Sequence, residues 1–362
     1  MKRICFIAQF PPPIHGLSKA VETLYNSQLQ SKYLLQQVNI TENKKILKSL
    51  WKIMIGKSDL YYFTIAQTKG GNWRDLLILK LLQWKKAKCL IHLHGGYYRT
   101  LIEQDCGKLQ RKLNYRAMSR MAGVIVLGNS LKYIFEGVVN EKRIFIIPNC
   151  VDKQYMSTAC NCQVKIDQLA SQSVLHILYL SNFIESKGYK EVLELARKAQ
   201  TEQNKTLHFH FAGKFFDEKE KVYFESFVAK HNLKNIVTHH GIVSGKEKDD
   251  LLNLCNIFIL LTRYPNEGQP ISILEAMGNA MIVITTNHAG IPDIVENEVN
   301  GLVIDKEKMN LERIYNYILL LNEQRKLLIK ISKNNYHIAK SAYTEQQYID
   351  NMDRVFQKFL EQ

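Results

Sequence analysis

The 362-residue sequence lacks the features of several classes of protein. No segment approaches the roughly 20 consecutive apolar residues that a membrane-spanning helix needs. The first apolar segment is cut off by Pro11-Pro12-Pro13, too early for a signal peptide. No internal repeat or low-complexity tract is present. We therefore expect a cytoplasmic globular protein, and 362 residues with 46% apolar content predict about two domains.

Cysteine is also sparse, with seven residues scattered along the chain. An odd number without regular spacing fits reduced thiols better than a disulfide framework. Cys160 and Cys162 form a single close pair with no second pair to complete a zinc site. The sequence therefore predicts neither structural disulfides nor structural zinc.

Acidic residues are scarce in the first half of the chain. Residues 1–165 hold 26 Lys and Arg against 9 Asp and Glu, whereas residues 166–362 hold 23 against 25. The formal net charge of +15 therefore arises in the first half. Two stretches concentrate it, residues 44–57 and 73–88, and both mix Trp and Leu with Lys as interfacial helices do.

Membrane docking is one explanation of these stretches. For residues 73–88, an amphipathic helix with Leu in the core and Lys in water explains the pattern equally well. Anionic lipid attracts each surface Lys or Arg by about 1 kcal/mol, so the attraction increases with the number of such residues in a patch. We predict peripheral contact of the first domain with an anionic membrane surface at the inner face of the cell membrane. No nucleic-acid motif or basic tail is present, so no nucleic-acid partner is predicted.

Strand patterns alternate with helical patterns along the chain, which predicts an α/β protein with two doubly wound, Rossmann-like parallel sheets. We expect a first domain over residues 1–165, a second over 166–343, and a C-terminal helix over 344–362 that crosses back to the first domain. The polar segment 149–173 has the composition of a linker. The first sheet is predicted near Ile4, Val38, Leu60, Leu90, Val124 and Ile144, and the second near Leu175, Phe209, Ile236, Ile257, Ile282 and Leu302.

Two carboxylates, Glu267 and Glu275, lie eight residues apart around a loop that turns into a helix. Pro270 suits the first turn of a helix, because it has no N–H group and a fixed φ. The amides that follow it lack intrahelical partners and form an anion-binding helix end. An ordinary helix start that Glu267 merely complements is about equally consistent with the spacing alone. The amides concerned are those of Ile271, Ser272 and Ile273.

Glu275 lies about one turn further into this helix, where a carboxylate can accept hydrogen bonds from a ribose diol. The segment from Glu267 through residues 274–277 to 290–293 resembles the E-x7-E signature of the retaining family 4 glycosyltransferases, group 1 enzymes of bacterial surface polysaccharide type. That family has the GT-B fold, in which two Rossmann-like domains face a cleft. The resemblance implies that Glu267 and Gly268 lie at the donor sugar, that Glu267 helps position it or stabilise the transition state, and that Glu275 binds the ribose.

Two positions in the first half match further parts of the family pattern. Gly16 follows a strand and precedes a helix, where a missing Cβ lets the backbone approach a phosphate, although a plain turn explains it as well. The family often has two adjacent glycines there, whereas this chain has His15 and Leu17. His94 ends a strand, and the resemblance implies contact with the donor sugar. We expect His92 to face the opposite side of the strand from His94, as a structural histidine. No third residue has the spacing of a metal ligand, so no metal site is predicted here.

The second half offers a diphosphate site. Lys187 follows a strand and can neutralise phosphate, although an isolated Lys is more often a solvated surface residue. The family supplies an Arg five residues before this Lys, but here Asn182 stands in its place, which can donate a hydrogen bond but brings no charge. Arg263 and Lys214 are the candidate replacements. The resemblance also implies a close-approach role for Gly213 and a base contact for Val243.

Together these features predict a retaining glycosyltransferase. It would move a sugar from a nucleotide diphosphate donor, expected to be a UDP-sugar, to a saccharide acceptor that is lipid-linked. No metal cofactor is expected if Lys187 and a helix end, with Pro270 at its start, stabilise the leaving diphosphate. The alternatives are a GT-B epimerase or phosphorylase, and a non-catalytic nucleotide- or membrane-binding partner subunit of a transferase.

Overall fold

A computed structural model of the chain describes residues 1–13 and 16–361. Ile14 and His15, next to the predicted turn at Gly16, lie outside the described residues. The chain divides into two compact units. Unit 1 comprises Met1–Cys150, Pro265–Gln269 and Glu345–Gln362, and unit 2 comprises Val151–Tyr264 and Pro270–Thr344.

Unit 1 contains a six-stranded parallel sheet in the order β2-β1-β3-β4-β5-β6. Its central strands read as unbroken apolar runs because helices cover both faces of a parallel sheet. The chain order reverses between β1 and β3, which makes the carboxyl ends of these strands a topological switch point. The strands are β1 Arg3–Ala8, β2 Leu34–Asn39, β3 Leu60–Thr64, β4 Cys89–His92, β5 Gly123–Val126 and β6 Ile144–Ile146.

Within the residues that the structure describes, seven α-helices belong to unit 1, and the last of them lies near the C-terminal end of the sequence. They are α1 Gly16–Tyr25, α2 Leu29–Lys32, α3 Ile46–Ile55, α4 Lys69–Trp84, α5 Tyr98–Thr100, α6 Lys108–Met118 and α14 Glu345–Leu360. Short segments of 3₁₀- or π-helix occur at Asn43–Lys45, Leu101–Asp105, Asn129–Phe135 and Glu141–Arg143.

Helix α14 completes the core of unit 1. Phe356 is fully buried, and its ring lies 6.1 Å from that of Phe6 and 5.9 Å from that of Tyr62. Asp353 accepts hydrogen bonds from Tyr33 Oη at 2.7 Å and from Lys32 Nζ at 2.5 Å. The burial of an apolar face and the pairing of its one buried carboxylate together hold α14 against the sheet.

Unit 2 contains a second six-stranded parallel sheet in the order β12-β11-β10-β7-β8-β9. Its chain order reverses between β7 and β10, which creates a second switch point. The strands are β7 Leu175–Leu180, β8 Leu207–Ala212, β9 Val237–His239, β10 Ile257–Leu260, β11 Ile282–Thr286 and β12 Gly301–Ile304. The predicted class, two doubly wound parallel α/β sheets, is therefore confirmed, since a strand lies at or beside each predicted position.

Seven further α-helices pack on this second sheet. They are α7 Ala159–Leu169, α8 Tyr189–Thr201, α9 Glu218–Lys230, α10 Gly245–Leu254, α11 Ile271–Gly278, α12 Leu311–Glu323 and α13 Arg325–Ala342. Short 3₁₀ turns lie at Lys153–Tyr155, Glu185–Lys187, Leu233–Asn235 and Ile291–Asp293.

The segment 149–173 is not the irregular linker that its polar composition indicates. It contains α7, and the ammonium of Lys165 on this helix donates to the carbonyls of Leu252 at 2.8 Å and Asn279 at 2.7 Å. These carbonyls lie near the ends of α10 and α11, where unpaired acceptors need donors. Burial lowers the pKa of Lys165 to about 8. The units divide after Cys150, fifteen residues before the boundary that the sequence suggests.

None of the helices within the described residues combines the length and the apolar character that crossing a bilayer would require.

Candidate functional site

The switch point of unit 2 carries the Lys187 loop, which follows β7. Gly188 has a φ of 82°, and a Cβ there would lie 2.4 Å from the carbonyl oxygen of Leu261, just beyond β10. Glycine is therefore required where the two strands diverge. The Lys187 ammonium lies 4.9 Å from the ring centroid of Tyr264, within cation–π distance. This loop is positioned where parallel α/β sheets bind ligands.

Asn182 begins the same loop and is exposed. Its backbone carbonyl accepts hydrogen bonds from Tyr179 Oη at 2.8 Å and from the amide of Ile184 at 2.9 Å, which fix the turn. These bonds involve main-chain atoms, so they do not depend on the amide side chain.

The two candidate replacements for the missing Arg differ in their surroundings. The Arg263 guanidinium pairs with Glu191 at 2.6 Å, while its backbone amide donates to Ser186. Lys214 is exposed, and its carbonyl accepts the amide of Phe183 at 2.9 Å, directly after Asn182. Because Arg263 is already paired, the geometry favours Lys214 as the cation beside Asn182.

Gly213 has a structural reason to be glycine. Its φ is 148°, and a Cβ would lie 1.9 Å from the carbonyl oxygen of Ser181. The amide of Gly213 donates to Gly241 at 2.7 Å, which joins the loops after β8 and β9. Val243 follows in the second loop and is half-buried against the core, whereas the side chain of Ile242 is 70% exposed. Ile242 thus presents an exposed apolar side chain beside Val243 that the sequence did not single out.

Helix α11 begins at Ile271 with Pro270 at its N-cap, as the sequence predicts. The prediction that the amide of Ile273 lacks an intrahelical partner is wrong, because this amide donates to the carbonyl of Pro270 at 3.2 Å in the first turn. The amides of Ile271 and Ser272 precede this first bond of the helix. The helix end therefore presents a narrower set of donors than three consecutive amides.

Glu275 lies four residues into α11 and is 4% exposed. Its Oε1 pairs with the Nζ of Lys248 at 2.7 Å, and this ammonium also lies 4.0 Å from the ring centroid of Tyr155. The Tyr155 hydroxyl in turn accepts the amide of Gly245 at 2.9 Å, at the start of α10. Sequence reasoning missed Lys248, because nothing in the helical pattern of α10 distinguishes it from a surface Lys. Its partner gives Glu275 a fixed position and charge.

In unit 1, His92 and His94 do not face opposite ways. Residues two apart along a strand share a face, and the two rings have centroids 3.9 Å apart. His92 is fully buried, and its Nδ1 lies 2.7 Å from Tyr62 Oη, which supports its structural role. Burial, followed by the neighbouring His94, lowers the pKa of His92 well below its usual value. His92 is therefore uncharged at neutral pH.

The segment that carries Glu267 packs against the end of β4, inside unit 1. The amide of Gly96 donates to the Glu267 carbonyl at 2.6 Å. A Cβ on Gly268 would lie 2.2 Å from the carbonyl oxygen of His94, so only glycine permits this approach. Gln269 Oε1 accepts the amide of Asn149 at 2.7 Å. These contacts bring the backbones of Glu267 and His94 together at the carboxyl edge of the sheet, and the Glu267 side chain is 8% exposed.

Gly16 begins α1 and is exposed, at the switch point of unit 1. It therefore lies at a strand-to-helix connection, as predicted, and its contact with a phosphate stays a prediction.

Helices α3 and α4 of unit 1 pack against each other and carry an unusual surface. Helix α3 buries only two residues, Ser49 and Ile53. On α4, Trp73, Leu77 and Trp84 form a solvent-exposed stripe, while the Arg74–Asp75 pair is buried. The explanation in which Leu packs in the core and Lys faces water holds for Leu76, Leu79, Leu82 and Lys80, and the exposed stripe comes in addition to it. We define the docking surface as exposed Leu47, Lys48, Trp51, Lys52, Met54, Ile55, Trp73, Leu77, Lys80 and Trp84.

Comparison with known proteins finds a family match for the second half of the chain. Residues 165–337 match the family Glycosyl transferases group 1. Among curated proteins, the chain is similar to the amylovoran biosynthesis glycosyltransferase AmsK of Erwinia amylovora, with 28% identity over 131 residues. That alignment covers 35% of this chain and 31% of AmsK, so the chain spans about a third of this relative.

Two solved structures cover the whole chain. HepE of Anabaena, in complex with UDP, has a TM-score of 0.76 at 14% identity, covering 99% of this chain and 100% of HepE. Sucrose-phosphate synthase of Thermosynechococcus elongatus has a TM-score of 0.77 at 13% identity, covering 100% of both chains. At such identities the likeness concerns the fold, and it confirms the predicted GT-B fold.

Proposed function

We propose that this chain, whose residues 165–337 form a domain of the group 1 glycosyl transferases, is a retaining enzyme of family 4. It transfers a sugar from a nucleotide diphosphate donor to a lipid-linked saccharide during synthesis of a cell-surface polysaccharide. The observation that carries the proposal is the buried Glu275, fixed by Lys248 on a helix that begins beside the switch point of unit 2.

The part of the proposal that concerns the nucleotide of the donor rests on unit 2. Lys187 and the first amides of α11 supply positive charge and N–H donors for a diphosphate. Lys214 supplies the charge that Asn182 lacks. Glu275 accepts the two hydroxyl groups of the ribose, and Val243 with Ile242 contacts the base. The bound UDP of HepE supports uracil as the base.

The part of the proposal that concerns the transferred sugar rests on unit 1. Glu267 and His94 come from segments that touch at one sheet edge, so one carboxylate and one imidazole can act on the same sugar. In this proposal, Glu267 stabilises the positive charge that develops at the anomeric carbon, and His94 orients the sugar by a hydrogen bond. Fixed charges of this kind act without a metal ion, since Lys187 and the helix end stabilise the departing diphosphate.

The part of the proposal that concerns the acceptor rests on the docking surface. Its exposed Trp and Leu side chains suit the boundary between headgroups and acyl chains, and its lysines suit anionic lipid. Contact with a membrane would present a lipid-linked acceptor to unit 1. The named role of AmsK, amylovoran biosynthesis, supports polysaccharide synthesis.

The test is nucleotide release from a panel of nucleotide sugars, with and without a membrane extract that contains lipid-linked acceptors. We expect release that depends on one sugar, persists in a metal chelator, and falls about 100-fold or more in Glu267→Gln. Glu275→Ala should raise KM for the donor, whereas Asp250→Ala, an exposed carboxylate on α10, should match wild type. Donor consumption without a glycosylated product would instead indicate an epimerase or phosphorylase. Binding without turnover that survives Glu275→Ala would indicate a non-catalytic subunit.

A further inference from the structure

A basic pocket opens at the edge of the unit 1 sheet opposite to His94. Lys2, Asp59 and Lys88 line it, and they directly precede β1, β3 and β4. Because these strands are parallel, this is the amino edge of the sheet, whereas His94 follows the carboxyl end of β4. The pocket has a volume of about 500 Å³, within the range of small-molecule sites. It is therefore separate from the candidate functional site.

Five lysines and one carboxylate line the basic pocket: Lys2, Lys57, Asp59, Lys85, Lys86 and Lys88. Two of the lysines have structural partners. Lys85 donates to the carbonyls of Ile53 and Gly56 at the end of α3, and Lys88 donates to the carbonyl of Phe359 at the end of α14. Both neutralise the negative end of a helix. The fold accounts for them without a ligand.

The other three lysines have no such explanation. Within the part of the chain that the structure describes, the side chains of Lys2, Lys57 and Lys86 form no ion pair or hydrogen bond, and all three are exposed. The one carboxylate, Asp59, accepts the backbone amide of Arg3 at 2.7 Å. Three ammonium groups against one carboxylate leave a local excess that suits a phosphate group, which carries about −1.5 to −2 charges at neutral pH.

The conformation of Lys86 adds a second observation. Its φ is 53°, in the left-handed region, and it occupies the position after the C-cap of α4 where glycine is favoured. The amide of Lys86 donates to Gln83 and that of Ala87 to Leu82, which completes the helix-ending motif. A lysine thus stands, at some conformational cost, where it contributes to the lining of the pocket.

The rim of the basic pocket is continuous with the docking surface. Ile55, 55% exposed, precedes Lys57 by two residues, and Trp84, 73% exposed, precedes Lys86 by two. We propose that the basic pocket binds the phosphate of an anionic lipid headgroup while Ile55 and Trp84 contact the same bilayer. This inference rests on the membrane contact in the proposed function, but not on its chemistry.

The test compares two kinds of phosphatidylcholine vesicle, matched in surface charge, one containing phosphatidic acid and the other oleate. Surface charge alone does not distinguish them, whereas a phosphate site does. We expect wild type to bind the phosphatidic acid vesicles about tenfold more tightly, as one charge-assisted hydrogen bond implies. Lys57→Gln/Lys86→Gly should lose this preference. The matched control Lys48→Gln/Lys52→Gln removes the same charge from α3 and should weaken both affinities but keep their ratio.

Folding does not limit this test, because glycine suits the backbone at residue 86 and thermal unfolding of the pocket variant should match wild type. Equal preference in the pocket variant and the control would overturn the proposal. Titration with inorganic phosphate in the absence of vesicles separates the sources. Phosphate binding that Lys57→Gln/Lys86→Gly abolishes, with no vesicle preference in wild type, would assign the pocket to a free phosphate compound and refute the lipid assignment.

Failure of this inference is distinguishable from failure of the proposed function. If wild type binds neither vesicle, both the membrane contact and the lipid site are wrong. If wild type binds both vesicles equally, the pocket proposal alone is wrong. Nucleotide release from the donor in detergent solution depends on the candidate functional site and not on the basic pocket, so it should be unchanged in Lys57→Gln/Lys86→Gly in every case.

Discussion

The Lys248–Glu275 pair is the residue-scale feature with the clearest energetic consequence. Glu275 is buried, and the Lys248 side chain is 17% exposed, so solvent screens their attraction little. Removal of one partner leaves a buried charge unpaired, which costs about 3–5 kcal/mol in fully buried pairs and somewhat less here. We expect Lys248→Met to lower the free energy of unfolding by about 2–3 kcal/mol in urea titrations.

The double variant Lys248→Met/Glu275→Gln provides the control for that prediction. It leaves no unpaired charge, so it should be more stable than Lys248→Met alone. Lys246→Met removes an exposed lysine from the same helix and should cause no measurable loss. Additive losses in the double variant would mean that the two side chains do not stabilise each other.

Asn182 permits a gain-of-function prediction at the same scale. If Lys214 supplies the charge that the family obtains from an Arg, Lys214→Ala should weaken binding of a nucleotide diphosphate about tenfold, the factor expected for one charge-assisted hydrogen bond. Asn182→Arg should restore it, whereas Asn182→Gln should not. Calorimetric titration with UDP measures this. The exposed Lys219→Ala on α9 is the control, and unchanged affinity in Lys214→Ala would rule out this role.

Single residues show what sequence reasoning can and cannot reach. The sequence alone points to Glu275 through its spacing from Glu267 and to Lys187 through a family pattern from which Asn182 departs, and both roles stay predictions. It does not identify Lys248, since the partner of Glu275 comes from another helix 27 residues earlier. Gly213 and Gly268 were associated with ligand approach, but the structure explains both by backbone crowding against Ser181 and His94. A glycine in the sequence can indicate that another group packs closely against the backbone, but it does not indicate whether that group is a ligand or another part of the chain.

Among the elements, α14 is the one whose contribution can be tested by a single substitution. Phe356 is fully buried among Phe6 and Tyr62, so Phe356→Ala removes a large side chain from the core of unit 1. We expect a loss of about 3–5 kcal/mol in the free energy of unfolding, measured by urea titration. The exposed Arg354→Ala, on the same helix, should stay within about 0.5 kcal/mol of wild type. A small loss for Phe356→Ala would mean that α14 contributes little to unit 1.

Strands β7 and β8 of unit 2, together with the residue that follows β9, carry a chain of hydrogen-bonded histidines. His210 Nε2 lies 2.8 Å from His176 Nδ1, and His210 Nδ1 lies 2.9 Å from His240 Nε2. Neutral imidazoles can form such a chain, since each has one donor and one acceptor. Burial, then the charge of the neighbouring imidazoles, lowers the pKa of His210 from 6.5 to about 3.

This pKa predicts loss of stability in mild acid. Below pH 6.5 the unfolded chain binds a proton at His210, whereas the folded chain does not until about pH 3. The free energy of unfolding should therefore be unaffected by His210 above pH 6.5 and should fall below it, by up to about 1.4 kcal/mol per pH unit. His210→Gln should flatten the decline between about pH 6.5 and about pH 5 in urea titrations, and His337→Gln, exposed on α13, should not. Parallel declines in both variants would contradict the assignment.

Element-scale prediction from sequence succeeds where packing enforces a period and fails where it does not. The parallel strands read as apolar runs because both faces are buried, which is why each of the predicted strands is present. Helix α7 was missed because its polar composition masks a few buried contacts, including Lys165 at the ends of two other helices. That contact joins residues far apart in the sequence, so no local pattern predicts it.

At the scale of the molecule, charge and exposed apolar area coincide on unit 1. The excess of Lys and Arg lies in residues 1–165, and the docking surface places Trp51 and Trp84 among exposed lysines. The sequence alone predicts where this charge lies. It cannot predict that Trp73, Leu77 and Trp84 of α4 face solvent while the other apolar residues of that helix are mostly buried, because burial depends on which helices pack beside it.

Two kinds of variant separate the apolar and electrostatic parts of membrane contact. Trp51→Ser/Trp84→Ser should weaken binding to phosphatidylglycerol vesicles about 100-fold, since each ring buries apolar area worth roughly 1.5–3 kcal/mol, and this loss should be the same at low and high salt. Lys48→Gln/Lys52→Gln should weaken binding at low salt only, because salt screens charges. Tyr223→Ser, an exposed aromatic on α9 of unit 2, is the control. If the Trp variants bind as tightly as wild type, the exposed stripe does not enter a bilayer and serves another partner.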